Sequence, residues 1–303
     1  MRYYNDIRET IGNTPLIKIN NLGVKEGVNL FVKLEGQNPG GSCKDRVGLY
    51  MVKEAEDRGE LKKSSTIIEA TAGNTGIGIA LAALNKGYNV IFVVPEKFSI
   101  EKQIIMKALG ATIINTPEEE GMEGAIKKAN ELLKNTNNSL SLKQFENKNN
   151  PKSHYETTGK EIYEDLDGKI DFVVAGAGSG GTFTGVVNYM KDKSNRVKGI
   201  LVDPIGSIIG GGIHGKYEVE GIGNNFVPEV MNMKLVDKVI KVSDDEAFKY
   251  TKLLARKEGI LAGSSSGAAI AGAIKLIENI DSGNVVVILP DRGDRYFSKN
   301  LFD

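Results

Sequence analysis

Short runs rich in Val, Ile, Leu and Phe alternate along the chain with longer stretches whose apolar positions recur every three or four residues. The runs at 29–34, 66–69, 89–94, 112–115, 172–175, 199–202 and 285–289 have the length and content of strands buried on both faces. The stretches at 45–58, 76–85, 101–109 and 124–133 carry helical spacing, and the Glu/Lys mixing of the last marks a solvated face. Such alternation predicts α/β layers around parallel sheets. The polar segments 134–139 and 146–151 (ENKNNP) read as loops, the second as a hinge between a smaller and a larger lobe.

Four turns, each leading into a predicted helix, carry the candidate chemistry. In Gly176-Ala177-Gly178-Ser179-Gly180-Gly181-Thr182 a buried strand runs through small residues into a helix, so backbone amides, hydroxyls and the helix N-terminus form a phosphate cradle. Gly176, Gly178 and Gly181 also match a dinucleotide fingerprint, with Asp203 near the ribose-binding position. In Asn38-Pro39-Gly40-Gly41-Ser42-Cys43-Lys44, Ser42 can cap a helix beginning near Cys43. Lys44 then lies in the first turn, where the dipole's positive end favours the neutral, nucleophilic amine. Thr71-Ala72-Gly73-Asn74-Thr75 offers free amides flanked by hydroxyls, which suits a carboxylate. Gly263-Ser264-Ser265-Ser266-Gly267 presents three consecutive hydroxyls, more than an N-cap uses.

Composition removes several function classes. At 303 residues the chain has length for roughly two domains. Lys plus Arg and Asp plus Glu number 39 each, so no net field favours nucleic acid or an anionic membrane. No apolar run reaches the ~20 residues of a membrane span. The start, Met1-Arg2-Tyr3-Tyr4-Asn5-Asp6, lacks the apolar core of a signal peptide, so a cytoplasmic location is expected. The single cysteine, Cys43, excludes an intrachain disulfide and a cysteine-based metal cluster. His154 and His214, the only two histidines, read as packing or surface residues, and no metal site is expected.

Taken in order, these motifs resemble the cysteine synthase and cystathionine β-synthase family, pyridoxal-phosphate (PLP) enzymes of the tryptophan-synthase-β fold type. The likeness runs from Ile11-Gly12-Asn13-Thr14-Pro15-Leu16 to the C-terminus. It implies two three-layer α/β lobes with mostly parallel sheets: a smaller mobile lobe, 36–146, and a larger phosphate-binding lobe, 1–35 with 147–303. It also implies roles. Lys44 would carry the cofactor and then move the substrate α-proton, and Asn74 would hold the cofactor's 3′-oxygen. Gly178, Ser179, Gly180, Gly181 and Thr182 would hold the phosphate, and Ser265 would face the pyridine nitrogen. Thr71, Gly73, Thr75 and Gln144 would bind the substrate carboxylate. A hydroxyl does not keep that nitrogen protonated, so the ring is a weaker electron sink, and replacement or elimination at Cβ is favoured over transamination. A homodimer acting on small amino-acid and thiol substrates is implied as well.

Segments such as Pro95-Glu96-Lys97-Phe98-Ser99 and Tyr217-Glu218-Val219-Glu220-Gly221-Ile222-Gly223 resemble the short bacterial cystathionine β-synthases, including those that take O-acetylserine. Departures bear on the substrates. With the motifs beginning at Ile11 and the sequence ending at Asp303, neither haem nor control by a regulatory domain pair is expected. Ala72 stands where serine is common, and Asn224 stands where serine-using members carry a tyrosine. Homocysteine, sulfide and cysteine remain as acceptors, giving cystathionine, cysteine or lanthionine, the last with release of hydrogen sulfide from a cysteine donor. Asp203, Glu218, Glu220 and Asn224 form a candidate second-substrate site. The competing reading is a dinucleotide-dependent oxidoreductase built on Gly176, Gly178 and Gly181.

Overall fold

The computed structural model describes residues 1, 3–71, 73–299 and 301–302. Ala72 and Asp303 lie outside the described residues. The chain divides into two compact units, residues 1–11 with 44–149 and residues 12–43 with 150–303. The first half contains β1 (Leu16–Lys18), β2 (Val28–Leu34), α1 (Lys44–Asp57), β3 (Thr66–Ala70), α2 (Asn74–Ala83), β4 (Asn89–Pro95), α3 (Ile100–Ala108), β5 (Thr112–Thr116), α4 (Gly121–Asn135) and β6 (Ser139–Leu140). There follow α5 (Asn149–His154), α6 (Lys160–Asp165), β7 (Phe172–Gly176), α7 (Gly181–Lys193), β8 (Lys198–Pro204), β9 (Val236–Val242), α8 (Asp244–Leu253), α9 (Ser264–Ile277) and β10 (Gly283–Leu289).

The smaller unit is built on a parallel sheet in the order β5-β4-β3-β6. Successive side chains leave a strand on opposite faces. Ile67, Phe92 and Val94 therefore pack with Val47 and Met51 of α1 and Ile77 of α2. Ile68 and Val93 meet Ala125 and Ala129 of α4 on the other side. Almost every described side chain of α2 is buried, as its all-round apolar sequence requires. The N-terminal segment belongs to this unit: the Arg8 guanidinium donates to the carbonyls of Ala82 at 3.2 Å and Leu84 at 3.0 Å.

The larger unit holds a six-stranded sheet, β1-β2-β10-β7-β8-β9, parallel except for β1. Val174, Val202, Val285 and Val287 face α9, while Val173, Leu201, Val286 and Ile288 face the helix layer of α6 and α7. Lys33 is an exception in this apolar sheet. Its buried ammonium is ion-paired with Glu161 at 3.0 Å and Asp165 at 3.2 Å, and it donates to the Thr14 carbonyl at 2.7 Å. The segment read as a loop at 146–151 departs from expectation in its second half, where α5 begins at Asn149. Pro151 sits in that helix's first turn, where a missing N–H costs nothing. Among the described residues no helix is long and apolar enough to cross a membrane.

Candidate active site

In an open parallel sheet, ligands bind beyond the carboxyl ends of the strands where the winding reverses. Each unit has one such point. In the smaller unit the chain runs outward from β3 through β4 to β5 and then returns to place β6 on the other side of β3. In the larger unit it runs from β7 through β8 to β9 and returns to place β10 on the other side of β7. The candidate motifs lie at these two points.

At the smaller unit's switch point, β3 leads through Thr71 and Gly73 into α2, which opens with Asn74 and Thr75. Gly73 is the N-cap and offers no side-chain cap to the first turn of α2. A Cβ built on Gly73 would meet no atom within 4 Å, so the space beside this turn is open. The Thr75 hydroxyl donates to Gln144 Oε1 at 2.6 Å, which brings together two of the residues assigned to the carboxylate. One group that the sequence did not single out builds this arrangement. Oε1 of Glu69, in β3, accepts from the Ser141 hydroxyl at 2.9 Å, from the Leu142 amide, and from the Lys143 amide at 3.1 Å.

Lys44 opens α1, one residue later than the sequence suggested. It is half-buried, and α1 lies against α2 in the same unit. Two glycines permit their close crossing. A Cβ on Gly78 would lie 2.2 Å from the Lys44 carbonyl oxygen, and one on Gly48 would lie 2.3 Å from the Gly78 carbonyl. The helix carrying Lys44 and the helix carrying Thr75 are thus seated backbone to backbone.

In the larger unit, β7 runs through Ala177, Gly178 and Ser179 to Gly180, the left-handed N-cap of α7 (φ +83°). A Cβ on Gly181 would lie 1.9 Å from Asn150 Oδ1, and the Asn150 amide donates to Ser179 Oγ at 2.9 Å. Asn150 of α5 therefore holds the loop from behind. His154 does the same for Thr182: its Nε2 lies 3.1 Å from Thr182 Oγ1, and its Nδ1 lies 2.9 Å from Thr158 Oγ1. This histidine is fully buried. The packing role read from the sequence is real, and it falls on the 178–182 loop. The ENKNNP and Ser153-His154 segments gave no periodic signal for either contact.

Ser265 lies in the first turn of α9 in the same unit, its Oγ 3.7 Å from a Cβ built on Gly221, whose own carbonyl crowds Gly178. The Ser265 hydroxyl is buried and has no hydrogen-bond partner among the described residues. A buried hydroxyl left unsatisfied costs roughly 1–3 kcal/mol, so it awaits a partner. A heteroaromatic nitrogen with its phosphate in the adjacent glycine loop meets that need, and the larger unit's residues fit PLP on this ground.

The proposed second-substrate residues differ in their surroundings. The Asp203 side chain is fully buried, and its Oδ2 takes Lys241 Nζ at 2.6 Å and the Gly210 amide at 2.9 Å. Its full burial and its ion pair with Lys241 do not suit a ribose ligand, which removes the support for a dinucleotide site. Glu218 and Glu220 line a cavity of about 360 Å³ together with Tyr217, Phe248, Lys252 and Lys299. Asn224 is half-buried, and its Oδ1 accepts from the Asn225 amide at 3.0 Å. Among the described residues no cluster of His, Cys, Asp and Glu has the makings of a metal site.

Comparison with known proteins agrees with this geometry. The model of the pyridoxal-phosphate dependent enzyme family matches residues 7–291. The chain is 49% identical to an O-acetylserine dependent cystathionine β-synthase of Bacillus subtilis (strain 168), over 100% of this chain and 99% of that protein. The crystal structure of an O-acetylserine dependent cystathionine β-synthase from Helicobacter pylori superposes with a TM-score of 0.95 at 45% identity, covering 100% of both chains. That of a hydrogen sulfide-producing enzyme from Fusobacterium nucleatum gives 0.94 at 40% identity, covering 98% of this chain and 99% of the other.

Proposed function

The chain belongs to the pyridoxal-phosphate dependent enzyme family, and from that premise we propose that it replaces the β-substituent of a small amino acid with a thiol. The bound cofactor supplies an electron sink conjugated to the substrate Cα, which lets the α-proton and then the β-substituent depart. The protein's own groups divide the remaining work. Lys44 Nζ carries the cofactor and holds the α-proton. The amides of 178–182 and the N-terminus of α7 bind the phosphate dianion. Asn74 holds the 3′-oxygen, and Thr71, Gly73, Thr75 and Gln144 orient the amino acid by its carboxylate.

The observation that carries this reading is the buried, partnerless Ser265 hydroxyl beside the phosphate loop. A neutral partner leaves the ring nitrogen unprotonated, which suits expulsion at Cβ. Ser265→Asp would instead hold a proton there, and it is expected to shift the cofactor's absorbance and lower β-replacement at least about tenfold. Unchanged spectrum and rate in that variant would remove Ser265 from the ring. The reaction itself is tested by offering serine, O-acetylserine and cysteine, each with sulfide, homocysteine or cysteine, and weighing the products.

Among donors, O-acetylserine and cysteine should surpass serine. Acetate and thiolate leave unaided, whereas hydroxide needs an acid, and the amide of Asn224 is far too weak an acid to serve. Its oxygen is moreover engaged by the next residue's amide. We expect kcat/KM for either activated donor to exceed that for serine by about tenfold or more, and Asn224→Tyr to narrow the gap. Serine performing as well as the others in the unmodified protein would refute the argument. Glu218, Glu220, Lys252 and Lys299 line one cavity, with Glu220 and Lys299 ion-paired at 3.8 Å, and this mixed charge supports an amino-acid acceptor there. With cysteine as both donor and acceptor the products are lanthionine and hydrogen sulfide. A cytoplasmic homodimer completes the proposal.

A further inference from the structure

The pairing of β6 with β3 ends after two residues, Ser139 with Thr66 and Leu140 with Ile67. Beyond Leu140 the ladder stops, yet the next three residues stay on a side chain of β3. The side chain of Glu69 replaces the missing ladder. Its Oε1 collects the Ser141 hydroxyl at 2.9 Å and the successive amides of Leu142 and Lys143, the second at 3.1 Å. Lys143 has φ +53°, a left-handed conformation that a residue with a side chain rarely adopts. Consecutive amides ending in a left-handed residue form a concave anion-binding nest. The turn is therefore shaped around a carboxylate, and the residue after it is Gln144, 2.6 Å from the Thr75 hydroxyl.

We propose that Glu69 is a positioning residue for the amino-acid substrate: seated in the nest at Leu142 and Lys143, it holds Gln144 against Thr75 and so sets the width of the carboxylate cradle. This deepens the function proposed above and rests on its reading of Thr71–Thr75 and Gln144 as the carboxylate site. Burial pushes the Glu69 carboxyl above its ordinary range, against the pull of the Ser141, Leu142 and Lys143 hydrogen bonds. Charge-assisted bonds to a partly buried acceptor are the strong kind, so the nest is expensive to replace with a neutral group.

The test is calorimetric binding of L-alanine, a donor analogue with no β-substituent to expel, to the holoenzyme, for the unmodified protein, Glu69→Gln, Gln144→Ala and the double variant. Glu69→Gln keeps the shape and removes the charge. It should weaken L-alanine binding by about tenfold, with kcat at saturating donor within about threefold and the cofactor absorbance unchanged. Because Glu69 acts through Gln144, the double variant should bind within about twofold of Gln144→Ala alone. Amide hydrogen exchange at Leu142 and Lys143 should quicken in Glu69→Gln, with or without cofactor. Ser141→Ala, which removes one of the three bonds, should show about a two- to threefold loss and serves if Glu69→Gln does not fold. L-alanine binding by Glu69→Gln equal to that of the unmodified protein, or losses that simply add in the double variant, would overturn the proposal. If the unmodified holoenzyme binds no amino acid, the carboxylate reading itself falls and takes this inference with it.

Discussion

Lys44→Ala is expected to lower β-replacement by about 10³-fold or more while leaving the fold in place. The size follows from the two roles proposed for one amine, carrying the cofactor and holding the substrate α-proton. The mildness toward the fold follows from position. Lys44 is the first residue of α1, where alanine is at least as good a helix former, and the apolar face that seats the helix begins three residues later at Val47. Borohydride reduction of the unmodified holoenzyme followed by peptide mapping should place the cofactor on the peptide containing Lys44. Circular dichroism should show Lys44→Ala folded. Cofactor reduced onto a different lysine, or turnover persisting in the alanine variant, would end the assignment.

Elements whose signal is local were legible in the sequence. The Val- and Ile-rich strands β3, β4, β7 and β10 and the helices α1 to α4 fall within a few residues of expectation, because burial on two faces or one face writes a pattern into neighbouring positions. Glycine-rich turns also announced themselves. Elements whose reason is tertiary did not. The two-residue β6 sits in a polar run, and only its pairing with β3 makes it a strand. The strand β9 was missed because Asp237, Lys238 and Lys241 interrupt its apolar pattern. Asp237 is there to take Lys191 at 2.6 Å and Lys198 at 3.3 Å, and Lys241 to hold buried Asp203. The site divides the same way. Lys44, Thr75 and the 178–182 loop are singled out by local motifs, while Asn150 behind Ser179, His154 behind Thr182 and Glu69 against Ser141 to Lys143 are contacts between distant segments. Asp203 had the right spacing for a ribose ligand and the wrong surroundings, since its carboxylate is committed to Lys241.

Gly78→Ala is expected to destabilise the smaller unit and to depress turnover, although helix propensity alone argues for the opposite. In an exposed helix interior, alanine is better than glycine by about 0.5–1 kcal/mol. At this position the added methyl would lie 2.2 Å from the Lys44 carbonyl oxygen and 2.7 Å from its carbon. Both obstacles are backbone, which no rotamer change relieves, so α1 must shift away from α2. Overpacking of this kind costs roughly 1–3 kcal/mol, enough to outweigh the propensity gain. The shift begins at the residue proposed to carry the cofactor, and displacement of a reacting group by about 1 Å can cost about 10²-fold in rate. Turnover should therefore fall further than the loss of stability explains, with enzyme that is still folded and still binds the cofactor. Gly48→Ala meets the same crossing from the other helix, where its methyl would lie 2.3 Å from the Gly78 carbonyl. Once either alanine has spread the helices the second has less to displace, so the double variant should lose less stability than the sum of the two. Urea unfolding, read by amide exchange in α1 and α2 so that the two units are separated, measures the stability term, and kcat at saturating substrate measures the other. A Gly78→Ala protein as stable and as fast as the original would mean that the crossing has slack, and that Lys44 is not positioned by it.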